Sequence, residues 1–195
     1  MQIFHVRAAQ AFAARLDALF APSHLYYLQQ PSDDVRDETF RRYGQTFIAN
    51  GARKLLATIT LPDAGLVPYL TVRGNLLING ESLPFDILPK NLRRDSDFLD
   101  QQASALTDQQ SLYIQLFRGL LAGRQYLLMR DLPASMDPQE RRLFLACAEA
   151  ALAHSTARLL MLTTDTALIA ANPQTSFQTT PDLFNDASMP NARLS

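Results

Sequence analysis

QYLLMRDLPASMDPQERRLFLACAEAALAHSTARLLMLTT, residues 125–164, decides the fold. Its two apolar runs, QYLLM (125–129) and ARLLMLTT (157–164), are continuous rather than alternating, as in strands buried on both faces of a parallel sheet. Between them a helix is predicted over about 138–154. Asp137 supplies its N-cap, Pro138 takes the first helical position where a missing N–H costs nothing, and Glu140 completes a capping-box pair. Strand, helix and strand at this spacing form a βαβ unit, so the two strands are expected to be parallel neighbours.

Upstream, LTDQQ (106–110) opens a helix to about Ala122 that puts Leu112, Leu116, Phe117 and Leu120 on one side. KLLATITL (54–61) and HLYYLQQ (24–30) read as two more strands, each ended by a proline turn, Pro62-Asp63 and Pro31-Ser32. A helix is expected over residues 11–20, with Phe12, Leu16, Leu19 and Phe20 on one face, and a polar one around 34–43. A weakly amphipathic helix falls at Leu70–Leu77, a Pro- and Asn-punctuated stretch runs through residue 95, and 96–105 reads as a short helix. NDASMPNARLS, at the C-terminus, has no periodicity and reads as a loose tail.

With 195 residues, 47% of them hydrophobic, the chain can bury a real core. A net charge of -1, with both signs interspersed, provides no field for capturing nucleic acid or anionic lipid. Cys147 is the single cysteine, so no internal disulfide can form, and its apolar setting points to a reduced, buried thiol. No apolar run approaches the roughly 18 residues of a membrane span. A cytoplasmic protein is expected, reaching a membrane only through a partner. His5, His24 and His154 lack the spacing of a zinc site, no Ser lies in a G-x-S-x-G elbow, and no glycine-rich dinucleotide loop is present.

From Leu106 to Asp137 the order LTDQQ, helix, YLLM, Arg-Asp, ASMD (134–137) resembles the segment that ABC ATPases write as LSGGQ, helix, strand, DE, SxLD. Arg118 stands where that helix carries its usual arginine. LVPYLTVRGNLL (66–77) is similar to the LFPHLTVRENL stretch after the Q-loop, and LMLTTD (160–165) to the strand ending in the THD of the H-loop. LYYLQQPSDDVRDETFRR (25–42) looks like a phosphate-binding loop of the type VALVGPSGSGKSTLLR from which the glycines have gone. The resemblance covers most of residues 24–170. It implies an α/β, P-loop NTPase-like fold, with a mostly parallel sheet, flanking helices and a helical subdomain at about 72–122. It implies one domain over 1–185, with 186–195 as the tail.

All the landmarks but the D-loop lack the chemistry that the resemblance assigns to them. A phosphate cradle needs glycines so that successive N–H groups close on phosphate, a lysine, and a hydroxyl for magnesium. Here Ser32 is followed by Asp33, Asp34 and Val35 at the glycine positions, Arg36 at the lysine and Asp37 at the hydroxyl. Each like-charge contact with a polyphosphate at about 4 Å would cost roughly 1 kcal/mol in water and about 4 kcal/mol near a protein surface. Read without the family, Ser32 and these acids simply cap a helix.

Pro62 stands at the Q-loop glutamine, and Asp108 and Gln109 replace the signature glycines, where Thr107 with Gln110 is also an ordinary capping box. Arg130 falls on the metal-holding acid and Asp131 on the catalytic glutamate. Because the pattern's proline is displaced to Pro133, a slip by one would put Asp131 on the metal position and Leu132 on the catalytic one. Neither register leaves a complete acid pair. Thr164 replaces the H-loop histidine, and Asp137 keeps the D-loop aspartate while serving equally well as an N-cap.

The expected function is therefore that of a catalytically inactive ABC-ATPase-like protein. It would bind no cofactor or metal and would act as a binding or regulatory subunit beside a membrane permease or an active ABC ATPase. Two other readings stand beside it. One is a divergent nucleotide-binding ATPase using Arg36 for the lysine and Asp131 for the acid, and the other is an unrelated α/β domain with a small-molecule site.

Overall fold

The computed structural model describes residues 2–61, 65–80 and 83–183. Pro62 and the stretch expected to be a loose tail lie outside the described residues. Helix α1 (Gln2–Leu19) precedes β1 (His24–Gln29), followed by α2 (Asp33–Ala49) and β2 (Leu56–Ile59). Between β2 and β3 (Tyr126–Arg130) the described elements are all helical: α3 (Val72–Leu77), α4 (Lys90–Arg94), α5 (Ser96–Asp100), α6 (Asp108–Leu121) and short 3-10 turns. The chain then runs through α7 (Pro138–Ala153), β4 (Arg158–Thr163), α8 (Thr166–Ala171) and β5 (Ser176–Phe177).

The strands make one sheet in the order β2-β3-β4-β1-β5, and every pairing is parallel. β3 and β4, the expected neighbours, pair from Tyr126↔Arg158 to Arg130↔Leu162. Successive side chains of the central strands enter two separate cores, as a pleated sheet covered on both faces requires. Leu25, Tyr27, Ile59, Leu127, Met129, Leu159 and Met161 join α3, α6, α7 and α8. Tyr26, Leu28, Tyr126, Leu128, Leu160 and Leu162 join Phe12 and Leu16 of α1 and Tyr43 and Phe47 of α2. The single crossover from β1 to β2 covers one face and the return crossovers cover the other, so all share one hand.

A polar knot ties α1 to the strand starts. Arg158, 6% exposed, donates to Asp17 Oδ1 at 2.7 Å and to the Phe20 carbonyl at 3.0 Å. Its guanidinium lies 5.1 Å from the Tyr126 ring centroid, and the Tyr126 hydroxyl donates to the same Asp17 oxygen at 2.7 Å. Burial is the main cause that raises the Tyr126 pKa, with the Asp17 bond second, so the hydroxyl keeps its proton.

Both expected capping boxes are present, Thr107 with Gln110 and Asp137 with Glu140, and Pro138 opens α7. Other elements depart from the sequence reading for identifiable reasons. α2 runs on to Ala49 through Gly44 and β-branched residues, because burial of Tyr43 and Phe47 outweighs their weak helix propensity. Arg53–Leu55 is a 3-10 turn, which shortens β2. α4, α8 and β5 have too few residues for any periodicity to show. α8 is fixed instead by Asp165, whose side chain accepts from Ala167 N and Leu168 N at 2.8 and 3.2 Å.

Two helical glycines separate space from propensity. A Cβ on Gly44 in α2 would meet nothing within 4 Å, whereas one on Gly119 in α6 would lie 2.4 Å from Leu127 Cδ2 and 3.1 Å from Ala57 Cβ. Gly44→Ala is expected to stabilise the fold by about 0.5–1 kcal/mol through helix propensity. Gly119→Ala is expected to lose more than it gains, because overpacking costs about 1–3 kcal/mol. Urea unfolding midpoints should therefore move in opposite directions for the two variants.

Candidate functional site

Ligands of open α/β sheets bind beyond the carboxyl ends of the strands, where successive connections leave in opposite directions. In this sheet that point lies between β1, whose chain departs toward β2, and β4, whose chain departs toward β5. The residues meeting there come from three loops: the β1–α2 turn, the end of β3 and the end of β4.

Arg36, in the first turn of α2, is the hub. Its Nη1 lies 2.8 Å from Asp33 Oδ1 and 3.1 Å from Asp131 Oδ2, and its Nε lies 3.1 Å from Asp37 Oδ1. The side chain is 16% exposed and that of Asp131 20%, so the pair is screened less than a surface bridge. Burial acts to lower the Arg36 pKa, but hydrogen bonds to Asp131 and Asp37 and the charge of Asp33 outweigh it and raise the pKa.

Asp131 also joins β3 to β4, since its Oδ2 accepts from the Thr164 backbone N–H at 2.9 Å. The Thr164 hydroxyl stands between two acceptors, 3.3 Å from Asp131 Oδ2 and 3.4 Å from Asp33 Oδ1, and its one proton can serve only one at a time. Arg130 meets the cluster through Asp37. Its Nη1 lies 3.4 Å from Asp37 Oδ1, its Nη2 donates to the Leu61 carbonyl at 3.0 Å, and its guanidinium lies 5.3 Å from the Phe40 ring centroid.

At the N-terminus of α2, Ser32 Oγ accepts from Val35 N at 3.4 Å. With Asp33 and Asp34 in the first turn, this helix end already carries the negative charge that its dipole favours. A cavity of about 940 Å³ opens beside the cluster, between Arg36, Asp131 and Thr164 on one side and Met136, Arg142 and Leu145 on the other. Its α7 wall is built by Arg141, which donates to the Met136 carbonyl at 3.0 Å and the Pro133 carbonyl at 2.9 Å. Arg141 is thus a loop anchor.

Of the sequence candidates, Ser32, Arg36, Asp37, Arg130, Asp131 and Thr164 come together through Arg36 and Asp131. Thr107, Asp108 and Asp137 sit at the starts of α6 and α7, and the side-chain hydrogen bonds of Thr107 and Asp137 stay within their own capping boxes. Among the described residues no three His, Cys, Asp or Glu side chains gather as metal ligands. Cys147 is half-buried, and burial pushes its thiol up to about 11, so it is protonated and a poor nucleophile at neutral pH.

Two structural polar residues were not legible in the sequence. Asn75, fully buried, accepts from Val67 N at 2.7 Å and donates to the carbonyls of Val67 and Thr71 at 3.0 and 3.1 Å. LTVRGNLL thereby folds as a stitched loop and helix, with Thr71 capping α3 through Gly74 N at 3.0 Å. Gln115 reaches from α6 to the backbone of Thr60, its Oε1 accepting at 2.9 Å and its Nε2 donating at 3.0 Å. A glutamine amid the apolar residues of α6 is the only sequence signal for this.

Solved structures share the architecture. The chain is similar to a putative ABC transporter ATP-binding protein from Pyrococcus furiosus at TM-score 0.55, with 10% identity, covering 74% of this chain and 80% of that one. It is also similar to cbiO1 from Clostridium perfringens, part of the ABC transporter complex cbiONQ, at TM-score 0.57, with 11% identity, covering 74% of this chain and 68% of that one. No family model and no curated protein matches the chain. The fold is thus an α/β, P-loop NTPase-like one with a mostly parallel sheet and flanking helices, of the kind found in ABC-transporter ATP-binding proteins.

Removing the hub cation should expose its worth. Arg36→Gln takes the guanidinium away from Asp33 and Asp131, while Asp37 keeps its contact with Arg130, and is expected to cost about 1–3 kcal/mol in urea unfolding. Arg36→Gln with Asp131→Asn should cost less than the sum of the two single changes. Strict additivity would mean that the Arg36–Asp131 contact contributes nothing.

Proposed function

We propose that this chain is a catalytically inactive ABC-ATPase-like protein that serves as a binding or regulatory subunit associated with an ABC transporter. The observation that carries the proposal is the Arg36 hub: the cation at the lysine position of the phosphate loop is bonded to Asp33, Asp37 and Asp131. Magnesium with a nucleoside triphosphate, the group that the fold implies, does not fit these residues. Asp33 and Asp37 would face the phosphates, and the α2 N-terminus has its own cap and acids. The position of the metal-holding acid carries Arg130 or, in the slipped register, an Asp131 already bonded to Arg36 and Thr164. The same bonds weigh against the divergent ATPase, because its lysine and acid substitutes are each other's partners.

A transporter role is supported by the fold shared with ABC-transporter ATP-binding proteins. No helix among the described residues is long and apolar enough to cross a membrane. In this reading the partner is a membrane permease or an active ABC ATPase that binds this domain. Localisation in the cytoplasm, peripheral to the membrane, follows from that partnership.

Affinity purification from native membranes in mild detergent should recover a permease or an ABC ATPase in stoichiometric amount. The purified chain should release no phosphate from Mg-ATP above the buffer rate, and neither Arg36→Lys nor Arg130→Asp should restore turnover. Recovery free of both partners, or magnesium-dependent hydrolysis lost in Asp131→Asn, would contradict the proposal.

A further inference from the structure

Among the described residues β2 is the last strand of the sheet, and its outer edge is incompletely paired. The Arg158 N–H donates to the Gln125 carbonyl, so Leu127 and Met129 face β4 while Tyr126 and Leu128 face β2. In this register Ala57 and Ile59 bond to β3, and Leu56, Thr58 and Thr60 turn their N–H and C=O groups outward. The bonds of Gln115 bear this out, since its side-chain amide takes both the N–H and the C=O of Thr60 as a neighbouring strand would. The Leu56 N–H folds back onto the Arg53 carbonyl. Among the described residues, the Leu56 C=O and both Thr58 groups remain on the open edge.

That edge lies in a groove of about 470 Å³ whose charged lining, among the described residues, is all cationic: Arg53, Lys54, Arg118 and Arg124. Arg118 Nη1 donates to the Gly65 carbonyl at 2.9 Å, and Arg124 Nη1 to the Lys54 carbonyl at 2.5 Å. Burial lowers the Arg118 pKa. Two copies joined edge to edge would set these cations against each other, so a second copy of this chain is a poor occupant.

We propose that the β2 edge binds an acidic peptide segment of another protein as an added strand, with Leu56 and Thr58 giving the main-chain bonds and the four cations meeting its carboxylates. The geometry is that of strand addition, in which main-chain bonds give affinity and alternate side chains give selectivity. The inference is independent of the inactivity proposed above. Cations on an edge strand also guard against aggregation, and the test separates that role from binding.

Fluorescence anisotropy of the full chain should use a labelled peptide alternating Glu and Val, the same peptide with Lys for Glu, and the Glu peptide N-methylated throughout. Only the first should bind saturably. The exposed pair Arg53→Glu with Lys54→Glu should weaken it at least about tenfold. Because N-methylation keeps every carboxylate but removes the donors, equal binding of the methylated peptide would overturn strand addition and leave a general anion site. Displacement by inorganic tripolyphosphate together with that equality would identify a small-anion site instead. Failure of the Glu peptide to bind, or equal binding of the Lys peptide, would leave the cations as edge protection and overturn the proposal.

Discussion

Three loops that end separate strands are held together by one guanidinium. Arg36 leaves the first turn of α2 and meets Asp131 at the end of β3, and Asp131 in turn accepts from Thr164 at the end of β4. The crevice between β1 and β4 is where a sheet of this order presents a ligand site, and here the opposing charges come from the chain itself. Hydrogen bonds to charged groups are worth about 1.5–3 kcal/mol each. A polyanion entering the crevice would have to break such bonds and then face the carboxylates left behind. Its own phosphates could replace the acids around Arg36 only by turning Asp33, Asp37 and Asp131 into repulsive neighbours.

The hub is one of several places where a polar side chain takes over a role usually left to backbone or ligand. Asn75 stitches the loop before α3, Gln115 completes the pairing of Thr60, and Arg141 anchors the loop before α7. The Arg158–Asp17–Tyr126 knot does the same at the opposite end of the strands. Each leaves few buried polar atoms unsatisfied, as a close-packed interior requires. The β2 edge stands apart, with main-chain groups open to solvent and cations around them.

Much of the fold was legible because its determinants are local. Continuous apolar runs gave β1, β3 and β4, and side chains three residues apart at Thr107 and Asp137 gave the starts of α6 and α7. Tertiary burial of Tyr43 and Phe47, which holds α2 together beyond residue 43, has no local signature, and neither do elements as short as α8 and β5. The site was half legible. Sequence placed Arg36, Arg130, Asp131 and Thr164 as altered positions of one site, but could not show that Arg36 and Asp131, 95 residues apart, neutralise each other. That pairing depends on strand order and register, and both follow from long-range packing.

On the proposed function, the chain's own ion pairs replace a nucleotide at the β1–β4 crevice. Isothermal titration of the purified chain with Mg-ATP measures this most directly. A site closed by the Arg36 hub should give no saturable heat at millimolar nucleotide, with or without magnesium. Saturable heat that disappears in Arg36→Gln would contradict it, because Arg36 would then be serving the nucleotide rather than the carboxylates.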